Sequence, residues 1–156
     1  MPKSILANFV EDLTQGLGMK IEIEDSPSYT LKIQDHEVQL ELDNEGDAIV
    51  VSIVLGKVPS GRYREDILEQ ALRSNGFPPP YFGLIGYSQD ADILVLHRKF
   101  HASKLSKKTI MDSLPPFIQM ADEWVRALNS SSVPIASKPD PSTAPNMLEI
   151  LGIETS

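Results

Sequence analysis

The stretch that decides the fold runs from Tyr29 to Leu55, YTLKIQDHEVQLELDNEGDAIVVSIVL. It contains three runs of strand character: Tyr29-Thr30-Leu31-Lys32-Ile33, then Val38-Gln39-Leu40-Glu41-Leu42, then Ile49 to Leu55. Short polar segments, Asp35-His36 and Asp43-Asn44-Glu45-Gly46-Asp47, separate them and supply turns, so the pattern predicts an antiparallel meander. Leu31 and Ile33, then Val38, Leu40 and Leu42, alternate with polar residues, as expected when one face of a sheet meets the core and the other meets water. The third run breaks that rule. Ile49, Val51, Ile53 and Leu55 point one way and Val50 and Val54 the other, so both faces of this strand are expected to be at least partly covered.

On the amino-terminal side, Ile5, Leu6, Phe9, Val10, Leu13 and Leu17 form one helical stripe, with Gly16 and Gly18 as a stop. On the other side, Tyr63, Ile67, Leu68, Ala71 and Leu72 mark a second helix that is expected to stop left-handed at Asn75-Gly76. Pro78-Pro79-Pro80 predicts an extended segment. Tyr81 to Tyr87 and Ile93 to Phe100 read as a hairpin around Ser88 to Asp92. A last helical pattern, from Ile110 through Phe117 and Trp124 to Leu128, meets Pro115-Pro116. Either the helix kinks there or a new helix starts with Ser113 as cap, and the second reading is expected. Helix, three strands, helix, two strands, helix gives an α+β fold with a mainly antiparallel five-stranded sheet. Residues 1–128 are expected to form one domain. Residues 129–156 are expected to be a flexible tail, since Ser130 to Pro145 holds five serines and four prolines. Its apolar end, Met147 to Ile153, is either a docking peptide or a sticky terminus.

Composition narrows the function. The 156 residues include no cysteine, which excludes disulfides, thiolate nucleophiles and cysteine-ligated metals, and makes the cytosol the default compartment. No apolar run approaches the roughly 20 residues needed to cross a bilayer, and Asn8, Glu11 and Asp12 break any signal-peptide core. The net charge is −8. Residues 1–60 carry 4 Lys/Arg against 11 Asp/Glu, so nucleic-acid binding lacks its electrostatic drive.

Chemistry-bearing motifs are sparse. His97 and His101 are four apart but lie in and after a strand beside Arg98, Lys99 and Lys104, and surface histidines are the expected reading, with no metal. His36 is expected in a turn. No G-x-S-x-G, P-loop or G-x-G-x-x-G occurs, and the carboxylates Asp43 with Glu45, and Asp90 with Asp92, read as solvated turn residues rather than calcium ligands. No enzyme and no cofactor are expected. What remains is excess apolar surface on the third strand and on Tyr81 to Tyr87. A second copy of the chain or a bound peptide would cover it, unless helices wrap both faces of the sheet within one subunit.

Several local patterns, in this order, resemble the class I chaperones of type III secretion, the Tir-chaperone family. They are Gly16-Leu17-Gly18 ending the first helix; Leu55-Gly56-Lys57-Val58-Pro59 after the third strand; Leu68, Ala71, Leu72 and Asn75; Gly86-Tyr87 with Asp90-Ala91-Asp92 leading into Ile93 to Leu96; and Phe117, Ala121, Trp124 and Leu128. Within the family the chain is most similar to chlamydial chaperones that serve several early effectors. The resemblance implies a homodimeric, non-enzymatic protein of the bacterial cytosol that binds an extended amino-proximal segment of secreted effectors. It would present them to the secretion ATPase or sorting platform. It also implies a dimer contact through Ile67, Leu68, Ala71, Leu72, Tyr81, Phe82, Leu84 and Ile85, and effector contacts through Phe9, Leu13, Leu31, Ile33 and Val95. An adaptor or regulatory module that binds a folded partner is the alternative.

Overall fold

A computed structural model describes residues 5–19, 26–77 and 82–130. The expectations for Pro78-Pro79-Pro80, Tyr81 and the carboxyl-terminal segment beyond Ser130 lie outside the described residues. The elements run α1 (Ile5–Gly16), β1 (Ser28–Ile33), β2 (His36–Leu42), β3 (Ala48–Lys57), α2 (Tyr63–Asn75), β4 (Leu84–Ser88), β5 (Ile93–His101) and α3 (Lys107–Asn129). The strands form one five-stranded antiparallel sheet in the order β1-β2-β3-β5-β4, so β1 and β4 are its edges. The α+β class expected from the sequence is the class observed.

Two compact units divide the chain, and β3, β5 and α3 each contribute to both. The first takes in residues up to Ser52 with Lys99–Pro115. Its core is the buried stripe of α1 (Leu6, Phe9, Val10, Leu13) with Leu31, Ile33, Val38, Leu40, Ile49 and Val51. Phe9 stacks against Phe100 at 5.7 Å. α1 ends in a Schellman closure: the Met19 amide donates to Thr14 O at 2.8 Å and the Gly18 amide to Gln15 O at 3.1 Å. The turn requires φ +70° at Gly18, which glycine adopts without the Cβ penalty of other residues. β1 and β2 pair from Ser28 with Glu41 to Ile33 with His36, and the buried and exposed positions alternate as the sequence predicts. The turn is only Gln34-Asp35. His36, expected in the turn, instead opens β2 and is buried, because the two-residue turn places it opposite Ile33 on the core face.

The second unit takes in Ile53–Arg98 and the chain from Pro116. Ile53, Leu55, Val58, Ile67, Leu94, Leu96, Phe117, Ile118, Ala121 and Trp124 are its core. α2 carries Glu65 and Asp66 in its first turn and Arg73 in its last, the arrangement the helix dipole favours. Its end departs from expectation. Gly76 is right-handed (φ −88°, ψ −4°) and its amide donates to Arg73 O. No left-handed stop is needed because a tight three-residue closure satisfies that carbonyl and the Asn75 side chain is used elsewhere. β4 begins at Leu84, so Phe82 and Gly83, expected in the strand, precede it. Gly83 is turned onto the core, where a Cβ would sit 2.8 Å from Leu96 Cδ1 and 3.2 Å from Phe117 Cδ2, so the chain joins the ladder only opposite His97.

α3 overturns the break expected at Pro115-Pro116, since one helix of 23 residues runs through both prolines. Its cap is Ser106, not Ser113: the Thr109 amide donates to Ser106 Oγ at 3.1 Å. Two interior prolines remove two backbone bonds at about 3 kcal/mol each. Residues 113–118 are all buried, and packing on every side of that turn holds the helical path that propensity opposes.

Candidate functional site

An apolar groove of about 260 Å³ opens between α2 and the β4–β5 hairpin, lined by Leu68, Ala71, Leu72, Ile85, Gly86, Tyr87 and Leu94. The sequence makes the hollow. α2 turns Ile67 and Ala71 inward and leaves Leu72 73% exposed, while the small Ala71 faces a space that a larger side chain would fill. Tyr63 and Tyr87 are also exposed.

Two polar devices hold the walls of this groove. Arg64, in the first turn of α2, donates through Nη2 to Asp92 Oδ1 at 2.6 Å and through Nη1 to Asp92 Oδ2 at 3.1 Å. The same Nη2 reaches Tyr87 Oη at 2.8 Å, and the Tyr87 hydroxyl donates to Asp92 Oδ1 at 2.5 Å. Hydrogen bonds from Arg64, then from Tyr87, pull the Asp92 carboxyl down to about 2. The bond to Asp92 pushes the Tyr87 phenol up. Asp92 adopts φ +57°, and its carbonyl accepts from the Val58 amide at 2.9 Å. It was expected to be a solvated turn residue; the structure makes it the hub that ties the β4–β5 turn to α2. The second device is Asn75. Its Nδ2 donates to Ile85 O at 2.7 Å, and its Oδ1 accepts from the Ile85 amide at 2.8 Å.

The face of the same hairpin opposite the groove is also apolar. Val54 on β3 is 54% exposed, and Leu84, Ile93, Val95 and His97 are half-buried. Among the described residues Val54 stays exposed, while Val50 on the same face of the third strand is half-buried. Burial lowers the His97 imidazole below its usual range.

The structure separates the residues singled out by resemblance. Phe9, Leu13, Leu31 and Ile33 are buried in the core of the first unit, and only Val95 is partly accessible. Among the expected dimer residues, Ile67, Ala71 and Ile85 are buried, Leu68, Phe82 and Leu84 are half-buried, and Leu72 is exposed. Leu68, Ala71, Leu72 and Ile85 come together in the groove. Gly86, Tyr87 and Leu94 join them without having been singled out, although the apolar Gly86-Tyr87 strand was the visible signal. Arg64 carried no such signal, and Asn75 was read only as a helix stop and part of the family pattern, since their partners lie 28 and ten residues away.

Among the described residues, the carboxylates of Asp43, Glu45 and Asp47 come within 4.8 Å of one another. Asp43 is already committed. Its Oδ1 accepts the amides of Asp47 and Ala48 at 3.1 and 3.2 Å, and its Oδ2 pairs with Lys99 Nζ at 3.1 Å. Burial pushes this carboxyl up, but Lys99 and the backbone amides outweigh it and hold it below its usual range. The Lys99 ammonium stands against the cluster as its counter-ion. No helix among the described residues is long and apolar enough to cross a membrane.

The profile of the Tir chaperone protein (CesT) family matches residues 6–125. No curated protein sequence matches significantly. Among solved structures, a chain of the ExoT–SpcS complex from Pseudomonas aeruginosa is similar at TM-score 0.59 and 15% identity, over 76% of this chain and 94% of its own. The Yersinia pestis type III secretion chaperone SycH, solved with a stable fragment of YscM2, gives 0.59 and 21% over 75% and 97%. The heterodimeric ExoU–SpcU complex of the P. aeruginosa type III secretion system gives 0.60 and 18% over 77% and 97%.

Proposed function

The chain belongs to the Tir chaperone protein (CesT) family, and from that premise we propose that it is a non-enzymatic chaperone for proteins secreted by a bacterial type III system. It works in the bacterial cytosol, binds an extended amino-proximal segment of its client and keeps that segment competent for export. It acts as a homodimer whose contact is centred on the α2–β4 groove, and it hands its client to the secretion ATPase or sorting platform. Similar folds solved as complexes, SycH with a YscM2 fragment among them, support the reading.

The observation that carries it is uncovered apolar surface. Leu72 and Tyr87 stand exposed beside a groove with almost no polar lining, and Val54 stands exposed on the opposite face of the same unit. Burying one such side chain contributes about 1.5–3 kcal/mol, and a few central anchors dominate a typical interface. Phe9 and Leu13, by contrast, are buried.

Light scattering of the purified chain tests the dimer, which should have twice the monomer mass. Leu72→Asp should shift it to monomer while leaving the circular-dichroism spectrum and unfolding midpoint of the subunit intact. Coexpression with secreted proteins of the same bacterium should yield a complex of two copies with one client through its amino-proximal segment. A monomeric wild type that forms no such complex would overturn the proposal.

A further inference from the structure

The sheet has two edge strands, β1 and β4, and a side chain from a helix is bonded to the backbone of β4. On an antiparallel edge strand, backbone groups point alternately toward the neighbour and away from it. Both groups of Ile85 are taken by Asn75, a residue outside the sheet, so they point away from β5. By the alternation, Leu84, Gly86 and Ser88 face β5 opposite His97, Val95 and Ile93, and Ile85 and Tyr87 are the two outward positions of this five-residue strand. An incoming strand docks by bonding successive outward positions, two residues apart. The Asn75 carboxamide, one donor and one acceptor on a planar group, copies one peptide unit of such a strand. It leaves Tyr87 as the single outward position.

We infer that Asn75 is a specificity-determining plug: it closes the outer edge of β4 to strand addition and so turns extended chains away from this end of the sheet. Natural sheets guard their edges in several ways, and here the guard is the last residue of the helix that walls the groove. The inference rests on the reading that the client is an extended segment, because only an extended client competes for a strand edge. It leaves the groove to partners that enter it with side chains.

The test needs no client. The probe is a fluorescent peptide of residues 93–101, the strand that β4 pairs with in the fold, added to the full-length chain and followed by anisotropy. Wild type should show no saturable binding. Asn75→Ala should bind the peptide at least about tenfold more tightly, with the Ile85 amide exchanging at least about tenfold faster and the Leu94 and Leu96 amides unchanged. Asn75→Asp keeps the acceptor for the Ile85 amide but sets an acceptor oxygen against Ile85 O, so it should protect the Ile85 amide less than Asn75 does and still reject the peptide. If Asn75 served only to anchor α2, both variants would lose stability and neither would take up the peptide, which would overturn the inference. Equal peptide binding by wild type and Asn75→Ala would also overturn it. Because the peptide comes from the chain itself, these outcomes stand apart from whether the chain serves secreted clients.

Discussion

The β1–β2 hairpin and the β4–β5 hairpin each carry an edge of the sheet, and they are held by different means. β1 and β2 pair over six positions through a two-residue turn, with apolar side chains on the core face and polar ones on the other. β4 pairs with β5 over five positions. Its outer side is fastened by Asn75, and its turn by Arg64 reaching Asp92 and Tyr87. One hairpin is specified by its own alternation; the other depends on α2. A strand with apolar residues on both faces has no alternation to fix its register, and long-range polar ties supply what the pattern lacks.

The largest expected effect breaks the self-specified hairpin. Leu40→Ala removes a fully buried side chain and should cost about 2–5 kcal/mol in denaturant unfolding. A loss under about 1 kcal/mol would show that the first hairpin leans on outside support as the second does. Next comes acid. In the fold the Asp92 carboxyl is held at about 2, against 3.8 for a free carboxyl. The unfolded chain therefore takes up the proton first. The contribution is full at neutral pH and fades between about pH 5 and pH 2. Arg64→Met should flatten that limb in a pH series of unfolding midpoints, whereas Lys32→Met on β1 should leave it unchanged.

A smaller effect of the same sign belongs to His97. Burial favours its neutral form in the fold, so its contribution is present above the ordinary 6.5 and is lost as pH falls below that value. His97→Gln should remove the shallow decline that sets in as pH falls below 6.5 and leave the acid limb of Asp92 in place. The smallest change sharpens the first hairpin. Gln34 is held at φ +55° with Asp35 following, the pattern of a turn that favours glycine at its first central position. Gln34→Gly should gain up to about 1 kcal/mol, measurable as a small rise in melting temperature.

The same contrast marks what the sequence could tell. The α+β order, the meander and the first helix were legible because Leu31 to Leu42 and Leu6 to Leu13 carry their period within a few residues. The site was legible only in part. Leu68, Ala71, Leu72 and Ile85, expected at a dimer contact, line the groove, and Phe9 and Leu13, expected at an effector contact, are buried: an apolar helical stripe has one signature for core and for partner surface. Asp92 and Asn75 were unreadable in their roles, since a turn aspartate and a helix-ending asparagine look the same with or without a partner far along the chain. At Pro115-Pro116 local propensity pointed to a break that burial on all sides overrode.

Those two prolines carry a consequence for the order in which the chain is made. A peptide spanning Lys107–Asn129 has no amide at two adjacent interior positions and gains nothing in isolation from the burial that offsets their loss. The helix forms against a surface that must already exist. It is also the last described element of the chain, so all five described strands leave the ribosome before this helix, which contributes to both units. A nascent chain halted before Trp124 would hold five strands whose apolar face waits for its cover, and the chaperone would itself need shielding during its synthesis.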